Sequence, residues 1–195
     1  MEDNKYNFNK TIVRLHGDKV DLALFRKDKD AIAIYTEWMN NEEYLHYLGR
    51  HQYLVTYADE KKYVERDDED NEYRFNIVSK KDGQMIGNCD IFAYPYNRTA
   101  SLGIVIGEKE YRGIGIGSEV IKLLVRFCFE ELNTHTVSLH LDSRNEIAYK
   151  CYTKAGFKEC GREKECHFHA GEYSDNITMQ ILEQDYYSSK IDNLH

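Results

Sequence analysis

The sequence predicts a mixed α/β fold: one sheet of about seven strands flanked by four helices, in a single domain over residues 1–195 with its core at about 10–187. Three observations predict it. Short β-branched runs alternate along the chain with longer stretches of helical periodicity, so strands and helices interleave. The 195 residues hold one proline, Pro95, with no low-complexity linker and no internal repeat, so nothing divides the chain in two. A glycine-punctuated turn, EYRGIGIGSE at 110–119, separates a β-branched run from an amphipathic one, which is the pattern of a strand–turn–helix unit.

Taken in order, residues 11–25 (TIVRLHGDKVDLALF) read as a strand and its exit. Residues 28–48 read as a helix, with Ile32, Tyr35, Trp38 and Met39 on one apolar stripe, and 57–70 as a second, polar helix ending in ERDDED. Residues 73–78 alternate as a strand. Lys81, Asp82 and Gly83 carry a hairpin-turn signal, and 84–94 follow as the next strand. Residues 100–106 form the strand before the glycine turn, and 118–132 the helix after it. That helix has Ser118 as N-cap, Glu119 suited to its dipole, and Val120, Leu123, Leu124, Phe127, Cys128 and Leu132 on one face. A strand at 136–141 leads to a helix at 146–155, with Asn145 near its N-cap and Gly156 at C′. Strands at 157–166 and 176–182, joined by a turn around Ala170 and Gly171, close the chain. This order places helices on both faces of the sheet.

Glycine costs roughly 0.5–1 kcal/mol of stability in a regular element. Gly113, Gly115 and Gly117 therefore mark a backbone that turns sharply or approaches something closely. Main-chain N–H groups at a helix start form an anion site, and Arg112 adds a charge beside them. The loop is not a Walker A loop, because no lysine follows its glycines. It is not the G-x-G-x-x-G fingerprint either, because Ser118 stands at the last position.

The net charge of −8 argues against a nucleic-acid partner and favours a cationic substrate. The N-terminal MEDNKYNFNK has no apolar signal region, and no stretch approaches the length of a membrane span. Five cysteines without framework spacing fit a reducing cytoplasm.

Two motifs now stand together: R-G-I-G-I-G at 112–117, and N-E-I-A-Y-K-C-Y-T-K-A-G-F at 145–157. They resemble the Q/R-x-x-G-x-G/A loop and the N-x-x-A-x-x-x-Y-x-K-x-G-F helix of the GNAT superfamily of acetyl-CoA-dependent N-acetyltransferases. The neighbourhood is similar to the branch of RimJ/RimL-type and spermidine-type enzymes. The resemblance implies a mostly antiparallel sheet in which the strand ending at Ile106 and the strand at 137–141 splay apart. It implies acetyl-CoA as co-substrate and no metal. The diphosphate would rest on Arg112, Gly113, Ile114, Gly115, Ile116, Gly117 and Ser118, with the pantetheine arm along Ile104 and Ile106 and touching Asn145. Tyr152 would be the acid for the leaving thiolate, a reading that the Asn and Gly-Phe flanks favour over a packed core tyrosine.

The general base is not given by the motifs. Relatives in this branch carry A-E-x-G on the strand before the loop. Here the stretch is Ala100-Ser101-Leu102-Gly103, and a serine is a poor base. Glu37, Glu42, Glu43, Asp90, His140 and Asp142 are the titratable alternatives, with Glu42 and Asp90 ranked first and a water chain the rival. Tyr35, Trp38, Tyr44 and Tyr173 are candidates to wall the acceptor site, or else core. The acidic run at 65–72 reads as a solvated helix end or a polyamine contact. Cys160, Cys166, His167 and His169 lack standard zinc-ligand spacing.

The expected activity is N-acetylation of a primary amine, on a small cationic molecule or a protein N-terminus. The alternatives are a degenerate GNAT-fold coenzyme A-binding module and acyl transfer to a hydroxyl. A homodimer formed through the C-terminal strands stays open.

Overall fold

The computed structural model describes residues 12–42, 54–66 and 70–192. Its strands form an 8-stranded sheet in the order β1-β2-β3-β4-β5-β6-β8-β7. They are β1 (Val13–His16), β2 (Val20–Leu24), β3 (Glu72–Ser79), β4 (Met85–Tyr94), β5 (Thr99–Ile106), β6 (Thr136–Asp142), β7 (Lys158–His169) and β8 (Glu172–Leu182). Every neighbouring pair is antiparallel except β5 and β6. The helices are α1 (Lys29–Met39), α2 (Tyr57–Glu65), α3 (Ile116–Glu130), α4 (Glu146–Lys154) and α5 (Glu183–Asp192).

The fold class matches the sequence reading, but several element bounds differ. Residues 11–25 hold two strands, because Gly17 N–H donates to Val20 O at 2.9 Å and folds the segment into a hairpin. The first helix closes at Asn40, whose amide donates to Thr36 O and to Val55 O; positions 43–48 of the expected helix lie outside the described residues. The second ends at Glu65, and residues 67–69 of the acidic run also lie outside them. The third begins at Ile116 with Gly115 as N-cap, so Ser118 sits inside its first turn. Asn145 does cap α4, accepting from Ala148 N at 3.0 Å, and Gly156 follows it with φ 96°.

The helix α5 was not expected. Its pattern is weakly amphipathic, and tertiary contacts hold it. Tyr186 stacks on Phe129 with ring centroids 4.8 Å apart, its hydroxyl donates to Glu130 at 2.7 Å, and Lys190 pairs with the same carboxylate.

Two apolar cores sandwich the sheet. One packs α3, with Tyr152, Phe157 and the inward side chains of β1 to β6 and β8, on one face. The other packs α1 and Val64 of α2 against Met85 and Val78 on the opposite face. Burying large side chains such as Leu124, Ile121, Ile32 and Tyr35 contributes roughly 1.5–3 kcal/mol each before entropy is counted.

Candidate active site

The turn into α3 is built by backbone. Gly113 and Gly115 have φ of 74° and 90°, in the left-handed region where a side chain is strained by roughly 1–2 kcal/mol. Glu119 N–H makes the first helical bond, to Gly115 O at 3.1 Å. Among the described residues, the N–H groups of Gly113, Ile114, Gly115, Ile116, Gly117 and Ser118 have no hydrogen-bond acceptor. Residues 113–115 are exposed. A run of six N–H donors without an acceptor from the chain at a helix start has the form of an anion cradle.

The strand before the loop opens an edge. β5 pairs with β6 only over Thr99, Ala100 and Ser101. Gly107 N–H donates to Ile86 O at 2.7 Å, which sets the phase of the β4–β5 ladder. In that phase Ser101, Gly103 and Val105 bond toward β4, while the main-chain groups of Ile104 and Ile106 point to the open side. The edge has the polar groups an extended chain pairs with. Arg112 differs from expectation. Its Nε donates to Ile106 O at 3.2 Å and its Nη2 to Gly107 O at 3.0 Å, so the guanidinium braces the strand end. The carbonyl of Ile106 is thereby partly occupied.

The second motif meets the first. Ser118 Oγ and Cys151 Sγ lie 3.2 Å apart, so α4 sits against the first turn of α3. Tyr152 follows Cys151 and is buried. Burial pushes the pKa of its phenol upward, so it is neutral at physiological pH, and its hydroxyl has no hydrogen-bond partner among the described residues.

Asp90 occupies the face of the sheet that carries α1 and α2. It lies opposite Arg74 on β3 and opposite Gly103 on β5. A Cβ at position 103 would stand 2.6 Å from Asp90 Oδ1, so glycine there leaves room for the carboxylate. A shallow pocket beside it is lined by Phe25, Tyr63, Arg74, Asn88, Cys89 and Asp90. Glu72, with its side chain fully buried, pairs with Arg66 and lies 4.0 Å from Arg74 Nε. The guanidinium of Arg74 stacks over Phe25 at 4.7 Å. Asp90 itself forms no side-chain ion pair among the described residues. Burial, and the Glu72 charge after it, push its carboxyl from the ordinary 3.8 to about 6, against the pull of Arg66, Arg74 and the Gly103 N–H.

Comparison with known proteins decides the family. The family model described as an acetyltransferase (GNAT) domain matches residues 20–158. This chain is a GNAT-family acetyltransferase. Its relatives include a probable N-acetyltransferase of Bacillus subtilis, YjcK, 30% identical over 64% of this chain and 69% of that protein. The spermidine N(1)-acetyltransferase of Vibrio cholerae is 28% identical over 73% of this chain and 88% of the relative. Among solved structures, the Vibrio cholerae spermidine N-acetyltransferase in complex with CoA and spermine superposes with a TM-score of 0.77 at 24% identity, covering 88% of this chain and 99% of that one. The match in fold accords with the splayed β5–β6 pair.

Other residues considered for this acetyltransferase fall elsewhere. Glu42 is exposed beyond the C-cap of α1, and Glu43 and Tyr44 lie outside the described residues. Asp142 is held by Arg144 and Ser174, and these bonds keep its carboxyl low although burial alone would raise it. His140 is exposed, with Nδ1 3.1 Å from Thr178 Oγ1. Tyr35 and Trp38 are core. The Tyr35 hydroxyl accepts from Asn76 at 2.6 Å, and Trp38 Nε1 donates to Glu108 at 3.0 Å. Tyr173 is exposed against Phe168. Among the described residues no cluster of three His, Cys, Asp or Glu side chains is arranged to hold a metal, and no helix is long and apolar enough to cross a membrane.

Sequence reasoning missed Lys19. It donates from Nζ to Ile114 O at 2.7 Å, and Glu119 accepts from its backbone N–H at 2.8 Å. Nothing local reveals this contact, because hairpin and loop are 95 positions apart.

Proposed function

We propose that this N-acetyltransferase uses acetyl coenzyme A and acetylates a primary amine of a small cationic molecule or a protein N-terminus. The observation that carries the reading is the run of six unpaired amides from Gly113 to Ser118 beside the open edge of β5. The amides fit a diphosphate, the edge at Ile104 and Ile106 fits an amide-bearing arm, and Asn145 caps α4, which meets the loop helix through Cys151 and Ser118. Coenzyme A supplies an activated thioester there.

The remaining chemistry falls to side chains of the chain. Ammonium is not a nucleophile, so a proton must leave before attack. Asp90, with a pKa near 6, is ionised at neutral pH yet basic enough to take it. It replaces the glutamate absent at Ser101. By alternation Ser101 and Gly103 share a face, and the carboxylate of Asp90 reaches over Gly103 from the neighbouring strand. The neutral Tyr152 hydroxyl is the donor for the leaving sulfur. The −8 charge of the chain favours approach of a cation.

Titration with coenzyme A and an amine-panel assay test this. Binding in the micromolar range and turnover with at least one amine are expected. Tyr152→Phe should lower kcat about ten- to a hundredfold with little change in coenzyme affinity. Absence of coenzyme binding by the wild-type chain rejects the reading.

A further inference from the structure

We infer that Lys19, on the β1–β2 hairpin, provides the positive charge of the diphosphate site; this rests on the coenzyme reading above. An anion with two negative charges in an amide cradle is held more firmly with a cation beside it. The sequence offers Arg112 for that task, but the structure turns its Nε and Nη2 onto the carbonyls of Ile106 and Gly107. Lys19 stands at the loop instead. Its Nζ donates to Ile114 O at 2.7 Å and lies 3.3 Å from where a Cβ at Gly115 would be. An ammonium has three donors, and Ile114 uses one, so two remain for an oxyanion at the exposed loop.

The hairpin is fixed for this purpose. Glu119 accepts from Lys19 N at 2.8 Å and from Val20 N at 3.2 Å, and Lys80 Nζ donates to Gly17 O at 2.8 Å. These bonds use the hairpin backbone at Gly17, Lys19 and Val20, so replacing the Lys19 side chain leaves them in place. The charge is therefore separable from the fold of the hairpin.

The test is calorimetric titration of coenzyme A, and of pantetheine, which lacks the phosphates, into the wild-type, Lys19→Met and Lys19→Arg proteins. Lys19→Met is expected to weaken coenzyme A about tenfold, with a shallower salt dependence, and to leave pantetheine unchanged. Lys19→Arg should recover most of the loss. A methionine variant that binds coenzyme A as tightly as wild type, or that loses pantetheine in equal proportion, overturns the assignment. An arginine variant as weak as the methionine one does the same. Each of these outcomes leaves the coenzyme reading standing. A wild-type protein that binds neither molecule removes that reading, and this one with it.

Discussion

The loop at 113–118 and the pocket at Asp90 both border β5, yet they are made differently. The loop works through main-chain N–H groups, two left-handed glycines and the start of a helix. The pocket works through side chains from β3 and β4 over a glycine of β5, with a carboxylate kept out of ion pairs. The first arrangement rests on its glycines and main chain, with Lys19 beside it. The second depends on the identity and charge of each side chain, and its fold role and chemical role oppose each other. A largely buried carboxylate without an ion pair costs stability, and the proposed base is of that kind.

The largest expected effect breaks the pocket alone. Asp90→Asn should lower kcat/KM with an amine by about 10²–10³, while coenzyme affinity stays within about twofold. In wild type the rate should fall as pH drops below about 6, because protonated Asp90 cannot accept a proton. The variant's residual rate should show no such limb. A variant that keeps both full rate and the limb removes Asp90 from the chemistry.

Next comes a change that breaks the loop alone. Gly115→Val places a β-branched residue at φ 90° and crowds the Lys19 ammonium. Coenzyme affinity should drop about ten- to thirtyfold by titration, with the Asp90 pH limb intact.

A smaller effect sharpens the contrast through stability. Because its folded pKa is raised, the favourable contribution of Asp90 is complete below about pH 3.8 and is lost as pH rises through about 6. Asp90→Asn should therefore be more stable than wild type by about 1–2 kcal/mol near pH 8, allowing for the residue's partial exposure, and equal to it near pH 4. Denaturant melts at the two pH values measure this. A variant less stable near pH 8 would mean that the carboxylate is paired after all.

The smallest is at the cap that opens the second motif. Asn145→Ala removes the bond to Ala148 N and should cost about 1 kcal/mol of stability. A loss in coenzyme affinity larger than the loss in stability would show that Asn145 also touches the coenzyme's arm.

Read from the chain alone, the glycine loop, the helix after it and the cap at Asn145 were legible, because each is local. A glycine needed for positive φ, a helix stripe and an N-cap leave their marks within a few residues. The proposed base was not legible in the same way. Asp90 stood among six titratable residues until strand register set it across from Arg74 and Gly103, while Arg144 and Ser174 claimed Asp142. Tyr35 and Trp38 read equally as site or core, and burial decided for core. The hairpin in 11–25 turns at Gly17, Asp18 and Lys19, but a three-residue connection between short strands is a weak local signal.

Sequence alone therefore determined the fold class, the order of most elements and the glycine turn at 113–118. Tertiary structure decided where charge goes: Arg112 to strand carbonyls, Lys19 to the loop, Asp90 to a pocket without an ion pair, and Glu130 to α5. The physical reason is range. Backbone conformation is fixed by neighbours along the chain, whereas the partners of a long charged side chain are set by which strands lie side by side.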